Sequence, residues 1–347
     1  MLDDVLRDRI RVLPKIELHR HLEGSVRLAT LVDIARTHDM DLDVPTAVSL
    51  RPLVQMVDGD ERSAQGFLSK FKVLREFFRS QSIIRRIAYE AVVDAAEDNV
   101  RYMELRFTPK ALCAISNCTP DEATIAVCEA ANAAALEYGI TVRYIVSMNR
   151  HESLELGFQA LESALAHQDM GIVGLDLAGA EAGFPASLFR DVFVQAHEAG
   201  LGITIHAGEW AGAESIRDAL DHMHVDRIGH GINAIQDVDL VRELAECGIV
   251  LEVCPMSNVL SGVVPTLDQH PLPQLTQAGI VTTINTDDPA VCDVTLTDEI
   301  TYAVENGLMQ EADIADYTLR AAQAAFLPPS ERDQLIATFK GWYQEVE

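Results

Sequence analysis

Short runs of alternating or continuous apolar residues recur along the chain, each followed by a longer stretch with helical spacing. Eight short runs read as strands: KIELHRH (15–21), VRYMELRF (100–107), TVRYIVSM (141–148), GIVGLDLAG (171–179), GITIHAG (202–208), RIGHG (227–231), GIVLEVCP (248–255) and IVTTINTDD (280–288). Ala- and Leu-rich segments such as TPDEATIAVCEAANAAALEYG and LFRDVFVQAHEAG separate most of them and read as helices. At EAGLGITI, ECGIVLEV and QAGIVTTI a glycine stands where a helix ends and a strand begins, the pattern of a helix C-cap. Eight strands alternating with helices predict an α/β fold, a (β/α)8 TIM-type barrel rather than an open doubly wound sheet.

The gap between the first two strands, residues 22–99, is mostly helical, so extra helices are expected between strands 1 and 2. Within it, SAQGFLSKFKVLREFF places Phe67, Phe71, Leu74, Phe77 and Phe78 at helical spacing. Most of these side chains are expected in the core, with a minority covering the barrel mouth. The expectation is a single barrel domain over residues 1–347, with a helical lid insertion at 45–95.

Composition narrows the partners. Acidic residues outnumber basic ones 54 to 27, a formal charge of −27, and such a field repels phosphate backbones and anionic membranes. A small molecule is therefore expected as partner, with no nucleic acid and no membrane; oligomeric state is left open. The six cysteines show no paired framework and fit free thiols in a reducing compartment. MLDDVLRDRIRVLPK lacks the basic and apolar regions of a secretory signal, and no apolar stretch approaches a membrane span. A cytoplasmic protein is expected.

Polar residues able to bind metal fall at the C-terminal ends of the candidate strands. His19 and His21 end the first, His206 the fifth, His230 the sixth, and Asp287 and Asp288 the eighth. In a barrel those ends converge on one mouth. Residues two apart on a strand share a face, so both imidazoles of HRH can reach one object. Each motif alone is weak, since a lone buried histidine is more often a satisfied core residue. Their joint occurrence at the ends of four strands points to one site. Imidazoles with one carboxylate and no thiolate suit a divalent first-row metal, zinc first, although iron or manganese use similar ligands. His19, His21, His206 and Asp287 are the expected ligands. Zinc brings the pKa of a coordinated water to about 7, and His230 and Asp288 remain to orient it or accept its proton. Glu209, three residues after His206, is placed to act as a general acid.

The blocks LPKIELHRHLEGS, FLSKF, MELRFTP, GLDLAGAE, TIHAGE, RIGHG, EVCPMSN and INTDDPA resemble the adenosine deaminase family of the amidohydrolase barrels, in the family's order. AAFLPPSERDQL also resembles its C-terminal helical region. The resemblance implies zinc-dependent hydrolysis of adenosine, and of 2′-deoxyadenosine, to the hydroxypurine and ammonia. By the same resemblance Glu209 protonates purine N1, and His230 positions and deprotonates the attacking water with Asp287 near it. Asp288 bonds N7, the Gly179 backbone faces N3, and Phe67 and Phe71 form a hydrophobic lid. His21 borders the substrate as well as the metal.

One position departs from the family's pattern. Where the family reads His-x-His-Leu-Asp, with the aspartate on the ribose 5′-hydroxyl, this chain has Glu23. Adenine or a 5′-modified adenosine, such as aminodeoxyfutalosine or methylthioadenosine, is the alternative substrate. Another amidohydrolase reaction and a non-catalytic barrel rank lower, because every ligand and the acid are present. The His-x-Glu and Pro-Cys-x-x-Cys signature of cytidine-type deaminases is missing, since no second cysteine follows Cys254 and Pro255 in register.

Overall fold

The alternating runs assemble into one eight-stranded sheet, every neighbouring pair parallel and the strands in sequence order. The strands are β1 (Lys15–His21), β2 (Val100–Phe107), β3 (Thr141–Asn149), β4 (Ile172–Ala178), β5 (Gly202–Ala207), β6 (Arg227–His230), β7 (Val250–Val253) and β8 (Val281–Ile284). This computed structural model describes residues 3–38, 40 and 45–346. No described helix is long and apolar enough to cross a membrane.

The barrel closes just past the end of β8. The amide of His21 donates to the Asp287 carbonyl at 2.8 Å, and the amide of Asp287 donates to the His19 carbonyl at 3.0 Å. Leu18 N–H donates to the Asn285 side-chain oxygen at 2.9 Å. Strand 8 was expected to run on to residue 288, and this segment does pair with β1, but with irregular backbone: Asp287 has φ +63°. The helices end as the glycines predict, with Gly200, Gly248 and Gly279 all at positive φ.

The helices between β1 and β2 span Leu28–Thr37, Ala47–Val54, Ala64–Leu74 and Gln81–Glu97. Ser63 caps the third, and the Lys70 ammonium ties it down through Asp60 (2.7 Å) and the Pro52 carbonyl (2.8 Å). The segment before it is pinned to the loop after β8. Met56 N–H donates to the Val291 carbonyl at 2.8 Å, and the Gln55 amide to the Ala290 carbonyl at 2.7 Å.

The helices bury one face against the outside of the barrel, where Ile16 and Leu18 meet Phe339 and Tyr343. The barrel interior differs from the branched aliphatic filling common in this fold. Arg227 reaches Glu104 at 2.5 Å and Glu252 at 2.6 Å, while Arg106 reaches Glu252 at 2.7 Å and Asp176 at 3.5 Å. All five side chains are at most 1% exposed, so each charge depends on its partners. Replacing Arg227 by Met leaves buried Glu104 without its counterion and Glu252 with Arg106 alone. The expected result is a loss of about 3–5 kcal/mol in unfolding free energy, read from urea denaturation; an unchanged midpoint would refute the role given to this ladder.

Candidate active site

Period-2 geometry on β1 turns His19 and His21 to the same side, and the ends of β5 and β8 bring His206 and Asp287 to them. One ligating atom from each of these four residues lies within 4.8 Å of the others. His19 Nε2 is 3.2 Å and His21 Nε2 3.4 Å from Asp287 Oδ1, and His21 Nε2 is 3.2 Å from His206 Nε2. Two carboxylates behind the rings set the tautomers. His19 Nδ1 lies 2.7 Å from Glu252, and His206 Nδ1 lies 2.8 Å from Asp176. With Nδ1–H donating backwards, the Nε2 lone pairs face one another, and His19 Nε2 is buried without a hydrogen-bond partner. Burial holds the His21 and His206 imidazoles below their usual pKa and therefore neutral. Converging neutral nitrogens beside one carboxylate oxygen fit a divalent metal. Cys254 also lies close to His19, His230 and Asp287, but burial, reinforced by Asp287, pushes its thiol up and disfavours thiolate.

Asp287 Oδ1 thus faces the histidines, while Oδ2 accepts from the Ser257 hydroxyl at 2.6 Å and lies 3.9 Å from His230 Nε2. His230, like Asp287, is a non-glycine residue at positive φ (+60°), a sparsely populated conformation that clusters at functional sites. A buried relay fixes its ring. Leu272 N–H donates to His270 Nδ1 at 3.1 Å, which puts the His270 proton on Nε2. That proton points to the Asn258 side-chain oxygen (3.2 Å), and the Asn258 amide then donates to His230 Nδ1 (3.1 Å). Burial holds the His270 imidazole down at about 4, so it stays neutral. Neutral His230 accordingly carries its proton on Nε2, toward the cleft.

Glu209 lies on the other side of His230, its Oε2 3.6 Å from Nε2 and its Oε1 buried without a partner. Burial, with the nearby charges of Asp287 and Glu181, pushes its carboxyl well above the ordinary range. Glu181 holds the loop that carries it, accepting from the amides of Gly208, Glu209 (3.1 Å), Trp210 (2.7 Å) and Ala211 (2.9 Å).

Residues 14–342 match the family described as adenosine deaminase. The chain belongs to the adenosine deaminase family. An adenosine deaminase of Shewanella loihica (strain ATCC BAA-1088 / PV-4) is 37% identical over 326 residues, covering 94% of this chain and 98% of that protein. An amidohydrolase from Burkholderia ambifaria with bound Zn superposes with a TM-score of 0.87 at 26% identity, over 99% of this chain and 95% of that one. Arabidopsis ADAL complexed with IMP gives 0.87 at 27% identity, over 97% and 99%. The chain is a hydrolytic deaminase of the metal-dependent barrel type.

The deaminase cleft gathers every residue singled out in the sequence. His21, Glu23, Phe67, Phe71, Gly179, His206, Glu209, His230, Asp287 and Asp288 line it, and His19 lies behind His21 in the ligand cluster. Glu23 accepts from Thr108 N–H at 2.7 Å through one oxygen, and its other oxygen is buried without a partner. Burial and the neighbouring Asp287 push the Asp288 carboxyl up, and its Oδ1 also lacks a partner. Gly24 is required beside it, because a Cβ there would collide with the Asp288 side chain. Phe67 and Phe71 pack with ring centroids 6.0 Å apart.

Sequence reasoning missed the groups behind the site. Asp176 in GLDLAG and Glu252 in VLEVC are lone acids within apolar strands, and the cost of burying a carboxylate could have marked them. Nothing local distinguishes Glu181, Ser257 or His270. Replacing Asp176 by Asn removes the negative charge behind His206 and leaves a neutral amide that can also turn its N–H2 to the ring, and metal affinity is expected to fall about 10–100-fold. Competition against a chromophoric chelator, with circular dichroism as the fold control, reads this; unchanged affinity would refute it.

Proposed function

We propose that this enzyme converts adenosine, and 2′-deoxyadenosine, to the corresponding inosine plus ammonia, with zinc on His19, His21, His206 and Asp287. The observation that carries the reading is Glu209: a buried carboxyl, held protonated, facing the same cleft as the ligand cluster and His230. A ring-protonating acid beside a metal suits an aminopurine. The names carried by relatives point the same way. Zinc, when bound, supplies a water acidified to a pKa of about 7.

The residues then divide the proton work. Glu209 gives its proton to N1, so that negative charge does not build on the ring while the water oxygen adds to C6. Sequence reasoning gives His230 two tasks, orienting the water and taking its proton. The Leu272–His270–Asn258 relay supports the first: Nε2–H donates to the attacking oxygen. It passes the second to Asp287, whose Oδ2 faces the same space. The amine receives that proton and leaves as ammonia, and the hydroxyl proton shed as the carbonyl forms returns to Glu209. Asp288 holds N7 and the Gly179 backbone faces N3. Phe67 and Phe71, on the insertion at 45–95, exclude water above the base. The six free thiols support a cytoplasmic setting.

Glu209→Gln keeps the shape and removes the acid, so kcat should fall about 10²–10⁴-fold. The wild-type rate should persist below the raised Glu209 pKa and decline as pH rises through it, because only the protonated form donates. That decline should vanish in the variant. Full activity of Glu209→Gln would sink the acid role. Chelator treatment should abolish ammonia release from adenosine, and zinc should restore it; a chelator-resistant rate would overturn the metal's part.

A further inference from the structure

Arg75 directly follows the helix Ala64–Leu74 and lines the cleft described above. Its Nε is buried without a hydrogen-bond partner, and among the described residues it forms no ion pair. In a chain with twice as many acids as bases, a counterion for it would be easy to supply. The interior arginines do have them: Arg106 meets Glu252 and Arg227 meets both Glu104 and Glu252. The charge of Arg75 acts on the Glu23 carboxyl in the same cleft without an ion pair forming between them, so its donors are left for something that enters the cleft.

The orientation of the purine says what arrives there. With C6 toward the ligand cluster, N1 on Glu209 and N7 on Asp288, N9 lies across the ring system from C6. The sugar therefore leaves toward the rim. Besides Arg75, the cleft holds further unsatisfied groups: Asn149 Nδ2 and Trp210 Nε1 are buried donors without partners, and Glu23 Oε2 is a buried acceptor without one. Glu209 Oε1 and Asp288 Oδ1 are taken by the base, and of the groups that remain for the sugar three are donors and one is an acceptor. Ribose hydroxyls can satisfy Glu23 and the neutral donors. A guanidinium is best satisfied by an anion that takes two of its N–H groups at once. The 5′ carbon is the exocyclic arm of the sugar and reaches furthest from the base, so an anion carried there reaches the rim.

We propose that Arg75 anchors an anionic group on the 5′ end of the substrate, so that the enzyme deaminates 5′-phosphorylated or 5′-carboxylated adenosines as well as adenosine. The inference rests on the adenosine reading above and adds a specificity residue to it. Phosphate and carboxylate share the required chemistry, and the substrate arms of the test separate them.

The test measures kcat/KM of the zinc-loaded enzyme for adenosine, adenosine 5′-phosphate, adenosine 5′-carboxylate and adenosine 3′-phosphate, in wild type, Arg75→Met and Arg75→Lys. Calorimetric Kd values for inosine and inosine 5′-phosphate give a readout independent of turnover. The expected result is that Arg75→Met loses at least about tenfold more for the 5′-anionic substrates, and for inosine 5′-phosphate binding, than for their uncharged counterparts. Arg75→Lys should fall between, keeping charge without the planar fork. Turnover of adenosine with none of either 5′ anion would overturn this inference alone. Equal losses on all substrates, or a preference for the 3′-phosphate, would do the same. No deamination of any member would overturn the adenosine reading and this inference with it.

Discussion

The peptide of Asp287 closes the barrel and its side chain completes the site. Its amide and carbonyl bond to the backbones of His19 and His21, the two residues whose rings converge on its Oδ1. Barrel closure and ligand geometry are therefore a single constraint: shifting the β1–β8 register by one residue would turn the histidines away from the carboxylate. The left-handed conformation of Asp287 is a local cost carried by that closure, and it aims one oxygen at the imidazoles and the other at Ser257 and His230.

The charged interior extends the same constraint downwards. A ladder from Glu104 through Arg227, Glu252 and Arg106 to Asp176 runs inside the barrel, and its last two carboxylates orient His19 and His206. A buried ion pair is weak evidence for stability, because desolvation offsets much of the attraction. What this ladder provides is orientation. Each histidine receives one fixed acceptor behind it, which selects the tautomer whose lone pair faces forward. Apolar side chains could fill the barrel, but they could not choose a tautomer.

Most of this architecture is legible in the sequence because it follows from periodicity. Eight apolar runs and their intervening helices are local signals, and the glycines after helices mark the boundaries. The boundaries slip where chemistry takes over: beyond Ile284 the chain pairs irregularly with β1, and beyond Val253 it turns into the helix Pro255–Leu260, so alternation overestimates the lengths of β7 and β8. The histidines stand out because an imidazole within an apolar strand needs a partner. The task of His230 is not legible. It depends on a backbone amide at Leu272 acting through two other side chains, and such a relay exists only after folding. The same holds for Glu181, whose four amide partners all lie in a different loop, and for Arg75, where the signal is the absence of a partner.

Two carboxyl groups in one small cleft must do opposite work, and their surroundings separate them. Burial acts against charge on both. Around Asp287 it is outweighed by the surrounding imidazoles of His19, His230 and His21, which hold the carboxyl well below its ordinary range. Glu209 has no comparable support, for its chief charged neighbours are Asp287 itself and Glu181, and both oppose ionisation. The ionised state of Asp287 thus helps keep Glu209 protonated. Exchanging their roles would require moving the imidazoles, and the imidazoles are fixed by the bonds that close the barrel. The acid and the base are assigned by the fold before any substrate enters.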